Sequence, residues 1–257
     1  MLRAVREAPQ ETRLWERAET LAISAGRPTD LADAYREVLR TKLDEEIEVD
    51  LSERASRLHE DRLGDPIGAT PYLERILALR PTNEVAFRRL KDILTAAERW
   101  GELESLYDRA AAVADDPARR VEMLAEVALV CEEIIEDPQK AMRHYERIIA
   151  IDPYHDASVR ALDRLYTRAG KDKELADLLN RRLESAVGDD ALELKLRLAR
   201  LQLALHEPDR AIAHVEDVLR ERVNDHEARQ LAERLLEIGS LKSTSISSSS
   251  LVRRTSR

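Results

Sequence analysis

Residues 65–81 read DPIGATPYLERILALRP, and residues 137–153 read DPQKAMRHYERIIAIDP. Laid over each other at an offset of 72, the two stretches share Asp65/Asp137, Pro66/Pro138, Ala69/Ala141, Glu74/Glu146, Arg75/Arg147 and Pro81/Pro153. The apolar run Ile76, Leu77, Ala78 and Leu79 becomes Ile148, Ile149, Ala150 and Ile151. A third copy, EPDRAIAHVEDVLRERV at 207–223, comes at an offset of 70 and keeps Ala211, Val215, Glu216, Val218 and Leu219 in step. His144 and His214 correspond as well.

The same offset holds outward from these stretches. Leu90, Ile93, Ala97, Leu103 and Leu106 fall on Leu162, Leu165, Ala169, Leu175 and Leu178. Trp15, Phe87 and Val159 form one series, Leu31, Leu103 and Leu175 a second, and Tyr35, Tyr107 and Leu179 a third. A fixed internal period of this kind is the mark of a stacked repeat array. Apolar residues at i, i+3, i+4 and i+7 predict helices near 10–25, 29–43, 45–64, 66–79, 83–98, 100–114, 117–136, 138–151, 155–170, 172–186, 190–206, 208–221 and 225–238. Pro66, Pro138 and Pro208 suit first-turn positions, where the missing N–H costs nothing, and acidic residues precede them. Pro81, Pro153, Gly26 and Gly170 fall where helices must stop.

Each period therefore splits into two helix–turn–helix units of about 34–38 residues. Here the chain resembles the tetratricopeptide repeat family. In Asp137–Gly170, Ala141, Tyr145 and Pro153 match the small residue, aromatic and closing proline of that family's second helix. Leu162, Tyr166 and Gly170 match the leucine, aromatic and turn glycine of the next first helix. Trp15 matches the early first-helix tryptophan, with Phe87 as its counterpart, and Ala69 and Ala211 repeat the small position. Tyr35, Leu90 and Tyr107 complete the expected packing set. Lys91 and Asp163 depart from the pattern, standing where a small residue is usual, and Val223 replaces the closing proline. The resemblance implies an all-α, right-handed α-solenoid of about six hairpins. The domain reading is a lead-in at 1–9, a solenoid over 10–239 with double hairpins near 12–65, 66–137, 138–207 and a partial one at 208–239, and a disordered serine-rich tail at 240–257. One hairpin cannot cover its own apolar stripe, so the units must stack to form a core.

Composition agrees. Charged residues make up 36% of the 257 and aromatics only 4%, which suits thin Leu/Ala layers between helices. The net charge of −9 weighs against a general nucleic-acid binder, which needs a basic face. The single cysteine, Cys131, rules out a disulfide within the chain and reads as a small buried hydrophobe. No apolar run is long enough for a signal peptide or a membrane span, so a cytoplasmic location is expected. The excess of Arg over Lys suggests a bacterial, GC-rich source.

Catalytic constellations are missing from the pattern. None of His59, His144, His155, His206, His214 and His226 is spaced as a metal pair, and no Cys or carboxylate cluster has ligand spacing. No phosphate-cradling glycine loop and no nucleophile elbow occur. The expectation is therefore no enzyme, no cofactor and no metal. One stripe points to binding: Arg160, Arg164 and Arg168 share a helical face at four-residue spacing, with Val159, Leu162, Tyr166 and Ala169 facing the core. In tetratricopeptide arrays the exposed face of the first helix lines a groove, so the resemblance places these arginines there, with Arg88 and Arg200 on corresponding helices. Two readings stay open: carboxylate recognition by guanidinium groups, or a face laced with ion pairs such as Asp156 with Arg160. The expected function is a protein–protein interaction scaffold for a peptide or helix, an acidic one among the candidates. A peptide-sensing regulatory module and an RNA-processing repeat protein are the alternatives, and a small-molecule substrate is not expected.

Overall fold

The computed structural model describes residues 2–237; the serine-rich segment lies outside them. All regular structure among the described residues is helical. The chain forms two compact units, residues 1–144 and 145–257. The first holds α1 (Leu2–Glu7), α2 (Thr12–Ser24), α3 (Pro28–Val38), α4 (Glu45–Asp61), α5 (Pro66–Leu79), α6 (Glu84–Ala96), α7 (Trp100–Val113) and α8 (Pro117–Leu129). Helix α9 (Pro138–Ile151) runs across the boundary. The second unit continues with α10 (Asp156–Ala169), α11 (Asp172–Leu183), α12 (Gly188–Ala204), α13 (Pro208–Glu221) and α14 (226–237). Within each unit successive helices pack in chain order, α2 on α3, α3 on α4 and so on, or α10 on α11 and α11 on α12. Such nearest-neighbour stacking is the α-solenoid arrangement.

Local chemistry sets the helix ends. Asp65 accepts a hydrogen bond from the Gly68 N–H at 2.9 Å, and Asn83 from the Ala86 N–H at 3.0 Å. Asp116 accepts from the Ala118 N–H at 3.0 Å, and Asp137 from the N–H groups of Gln139 and Lys140. Each satisfies a donor that the first turn leaves orphaned. At the other ends the chain must pass through a left-handed residue. Gly26, Glu98 and Gly170 stand one period apart and have φ of 67°, 54° and 64°. Gly64, Glu136 and His206 form a second such series, at φ of 60°, 56° and 60°. The turns are thus repeated even where glycine is not.

Three elements differ from the sequence expectation. The lead-in carries a helix, α1, whose Val5 is fully buried beside Trp15 and Leu31. Helix α3 ends at Val38 rather than near 43, because the Thr41 N–H and hydroxyl both bond to the Val38 carbonyl and turn the chain. The helix expected over 117–136 is α only to Leu129; Val130–Ile134 form a π turn, with the Ile135 N–H reaching the Val130 carbonyl at 2.9 Å. A π turn inserts an extra residue and rotates the chain beyond it.

The core is made of repeated layers. Trp15 stacks on Tyr35 at 4.4 Å between ring centroids, and one period later Phe87 meets Tyr107 edge to face at 5.5 Å. Leu73, Leu90, Leu94, Leu103, Leu106 and Leu124 are essentially inaccessible in the first unit. In the second, Leu192, Leu196 and Ala199 of α12 close on Ala211, Val215 and Val218 of α13 and on Ala228, Leu231 and Leu235 of α14. Burying each such leucine contributes about 1.5–3 kcal/mol.

Candidate partner-binding surface

On the polar faces of the first helices an ion pair between neighbouring hairpins recurs with the 72-residue period, twice with a tyrosine added. On α2, Glu19 accepts a hydrogen bond from Arg54 of α4 at 3.2 Å, and the Tyr35 hydroxyl donates to the same carboxylate at 2.5 Å. One period later the signs are exchanged. Lys91 of α6 faces Glu126 of α8 at 3.6 Å, and the Tyr107 hydroxyl donates to Glu126. The tyrosine finds the acid whichever helix carries it. In the second unit Asp163 of α10 takes a guanidinium from Arg197 of α12, with Arg182 at 3.8 Å, and Leu179 stands at the tyrosine position. Lys91 and Asp163, the two departures from the family pattern, are therefore partners in inter-hairpin ion pairs. A small residue is unnecessary at that contact because a charged side chain reaches across to the next hairpin.

Further pairs cross the same faces. Arg89 joins Glu60, Arg119 reaches Glu84 at 3.1 Å, and Arg200 joins Glu227. Arg119–Glu84 spans 35 residues, as Glu19–Arg54 does, and Asp163–Arg197 spans 34, about one hairpin. Sequence reasoning passed over Glu19, Glu84 and Glu126, and read Asp163 only as a departure from the repeat pattern. Opposite charges recurring one hairpin apart were the signal available.

The five expected binding arginines are all exposed. Arg160 pairs with Asp156 at 2.8 Å on its own helix, and Arg200 pairs with Glu227 of α14. Arg164 also has a partner. Arg88 and Arg168 make no ion pair among the described residues. Arg88 lines an open cavity of about 230 Å³ with Glu84, Lys91, Tyr107, Arg119 and Glu126. On α10 Val159, Leu162 and Tyr166 are buried, while Ala169, expected on the core side, is exposed at the helix end. The remaining repeat positions are buried, namely Trp15, Tyr35, Ala69, Phe87, Leu90, Tyr107, Ala141, Tyr145 and Ala211, whereas Pro153 and Gly170 lie exposed in turns. A larger open cavity of about 630 Å³ in the first unit lies between α5, α6 and α7, walled by Pro71, Leu77, Pro81, Phe87, Leu106 and Val113.

Electrostatics reflect burial and neighbours. Burial first, then the hydrogen bond to a carboxylate, pushes the hydroxyls of Tyr35, Tyr107 and Tyr166 well above the usual tyrosine range, so all three remain donors. Burial, reinforced by Glu104, pushes the Cys131 thiol up to about 11. Burial and then Lys195 hold the His214 imidazolium below its ordinary range. His59 and His144 are buried. His59 Nδ1 lies 3.2 Å from Asp65, and its Nε2 has no hydrogen-bond partner among the described residues. His155 accepts from the Ser158 N–H at the start of α10.

A family model described as tetratricopeptide repeat matches residues 86–121, which cover α6, α7 and the start of α8. The Asp137–Gly170 segment singled out in the sequence lies outside that match. No curated protein matches the chain. Among solved structures, pilF of Pseudomonas aeruginosa is 13% identical with a TM-score of 0.33, over 91% of this chain and 99% of that one. A tetratricopeptide repeat protein from Parabacteroides merdae is 16% identical with a TM-score of 0.31, over 91% and 90%. YrrB, described as a tetratricopeptide protein with an unusual peptide-binding site, is 14% identical with a TM-score of 0.32, over 79% and 99%. None of the described helices is long and apolar enough to cross a membrane. The 72-residue period, the helices packed in chain order and the matched segment make the chain a helical-repeat protein similar to tetratricopeptide repeat proteins, an architecture that serves in general as a protein–protein interaction scaffold.

Proposed function

We propose that the protein is a non-catalytic scaffold which binds an acidic peptide or helix of a partner protein on the exposed faces of its first helices. The observation that carries this reading is the contrast among cations on those faces. Arg54, Arg89, Arg119 and Arg197 are committed to carboxylates of neighbouring hairpins. Arg88 and Arg168 stand exposed with no ion-pair partner among the described residues. A free guanidinium on a rigid helix recognises a carboxylate through two parallel N–H donors. The committed pairs hold the helices in place, so that little ordering remains to be done on binding. The overall charge of −9 works against polyanionic nucleic acid and leaves local recognition of acidic side chains.

Affinity capture from native lysate tests this. Wild type is compared with Arg160→Glu/Arg164→Glu/Arg168→Glu and with Arg88→Glu, all checked for unchanged helical content. Loss of one dominant protein from the captured set, with binding that weakens as salt is raised, supports the reading. Identical sets for all variants would remove it. Capture of RNA that is lost with ribonuclease would replace it with the nucleic-acid reading.

A further inference from the structure

The most unusual buried chemistry in the first unit lies away from the exposed arginines, where α7, the π turn and α9 meet. Glu104, Cys131 and His144 bring donor atoms within 4.8 Å of one another. Cys131 is fully buried and His144 is 4% exposed. The Glu104 side chain is 15% exposed. The His144 Nε2 lies 3.5 Å from one Glu104 oxygen, and its Nδ1 lies 3.9 Å from Asp108. Lys140 holds the other Glu104 oxygen at 2.6 Å, which turns the first toward the ring.

We propose that Glu104, Cys131 and His144 form a binding site for a divalent transition-metal ion, with Zn²⁺ as its natural occupant. Three observations carry this. First, the donor set of thiol, imidazole and carboxylate is one that zinc takes, with a fourth position left for water. Second, the arrangement around His144 suits a metal ligand. With a hydrogen on Nδ1 directed toward Asp108, the Nε2 lone pair faces the Glu104 oxygen, so two acceptors oppose each other across a gap that a cation fills. A carboxylate behind the second ring nitrogen is the usual orienting partner of a ligating histidine. Third, the other repeats lack the set. Position 104 corresponds to Ala32 and Ala176, both buried, and only the middle repeat places a carboxylate there. Cys131 and His144 correspond to His59 and Tyr72 one period earlier. The Cys131 thiol makes no hydrogen bond among the described residues, and the π turn that carries it is of the kind often found at functional positions. Binding forms a Zn–S bond and releases the thiol proton to solvent. The ion then joins α7, the π turn and α9 through one donor from each, so it acts as a staple.

The test uses the full chain without a histidine tag, stripped of metal. Titration with Co²⁺ is expected to give a thiolate-to-cobalt charge-transfer band that saturates at one equivalent and is bleached by Zn²⁺. Cys131→Ser and His144→Gln are each expected to abolish the band, and Asp108→Asn to weaken Co²⁺ binding roughly tenfold, as loss of an orienting partner does. Zn²⁺ is expected to raise the unfolding temperature of wild type and not of Cys131→Ala, a substitution of similar size that tests the thiol without leaving a large cavity. Absence of the band in folded wild type overturns the proposal, as does a band that persists in Cys131→Ser.

Discussion

Exchanging the charges of Lys91 and Glu126 is expected to leave stability nearly unchanged, although each single change destabilises. The sister contact shows why: Glu19 and Arg54 already carry the opposite arrangement around Tyr35. Lys91→Glu removes a half-exposed pair worth roughly 0.5 kcal/mol and sets two carboxylates against each other, for a total loss of about 1 kcal/mol. Glu126→Arg removes the same pair, sets two cations together, and takes away the acceptor of the buried Tyr107 hydroxyl. A hydrogen bond to a charged group contributes about 1.5–3 kcal/mol, so this change costs about 2 kcal/mol or more. In Lys91→Glu/Glu126→Arg the tyrosine again has an acid and the acid again has a cation. The double variant is expected within about 1 kcal/mol of wild type, a coupling of about 2 kcal/mol. Urea unfolding monitored by far-ultraviolet circular dichroism measures all four corners of the cycle. Repeating the cycle in Tyr107→Phe is expected to shrink the coupling, since the shared acceptor then has no hydroxyl to satisfy. If the double variant loses about 3 kcal/mol, the simple sum of the singles, the ion pair and the tyrosine do not act as a unit and the reasoning fails.

Glu98 is exposed and left-handed where Gly26 and Gly170 stand in the sister repeats; Glu98→Gly is expected to raise stability by up to about 1 kcal/mol and Gly170→Ala to lower it by about 1 kcal/mol, read as shifts in denaturation midpoint. A Cβ on Gly68 would sit 2.0 Å from an Asp65 oxygen and 2.3 Å from His59 Nδ1, so Gly68→Ala is expected to cost about 1–3 kcal/mol, and the same loss should not appear when Asp65 and His59 are both first cut back to Ala. His214 binds its proton less readily folded than unfolded, because burial and Lys195 oppose the charge while Asp217 favours it. Its contribution to stability is therefore present above the ordinary histidine value of about 6.5 and is lost as pH falls below it toward the folded value. His214→Gln is expected to flatten the decline in thermal midpoint between about pH 7 and about pH 5, and an unchanged slope would show that His214 does not titrate differently in the two states.

The repeat was legible because the same layer is built three times. Leu90 and Leu162 recur at an offset of 72, and Ala69, Ala141 and Ala211 at offsets of 72 and 70, since each fills the same contact between helices. Helix starts were legible because Asp65, Asp137 and the prolines after them act locally, within a turn. The features that escaped the sequence act across hairpins. Glu19 and Arg54 lie 35 residues apart and resemble any other surface charges until α2 and α4 are side by side. Glu104, Cys131 and His144 have no ligand spacing because three separate elements supply one donor each. The π turn at Val130–Ile134 carries no Pro or Gly to announce it. The arginine stripe was visible as a pattern, but which of its members are committed to acids depends on neighbours such as Asp156 and Glu227.

The reversed polarity of the middle contact also gives each module an address. A copy of α4 placed where α8 belongs would bring Arg54 against Lys91, and a copy of α8 placed against α2 would bring Glu126 against Glu19. Tandem repeats with near-identical backbones are prone to pairing out of order while they fold, and to trading modules between molecules. Here a wrong neighbour meets its own sign of charge beside a buried tyrosine, which penalises the error without altering the shape of the hairpin.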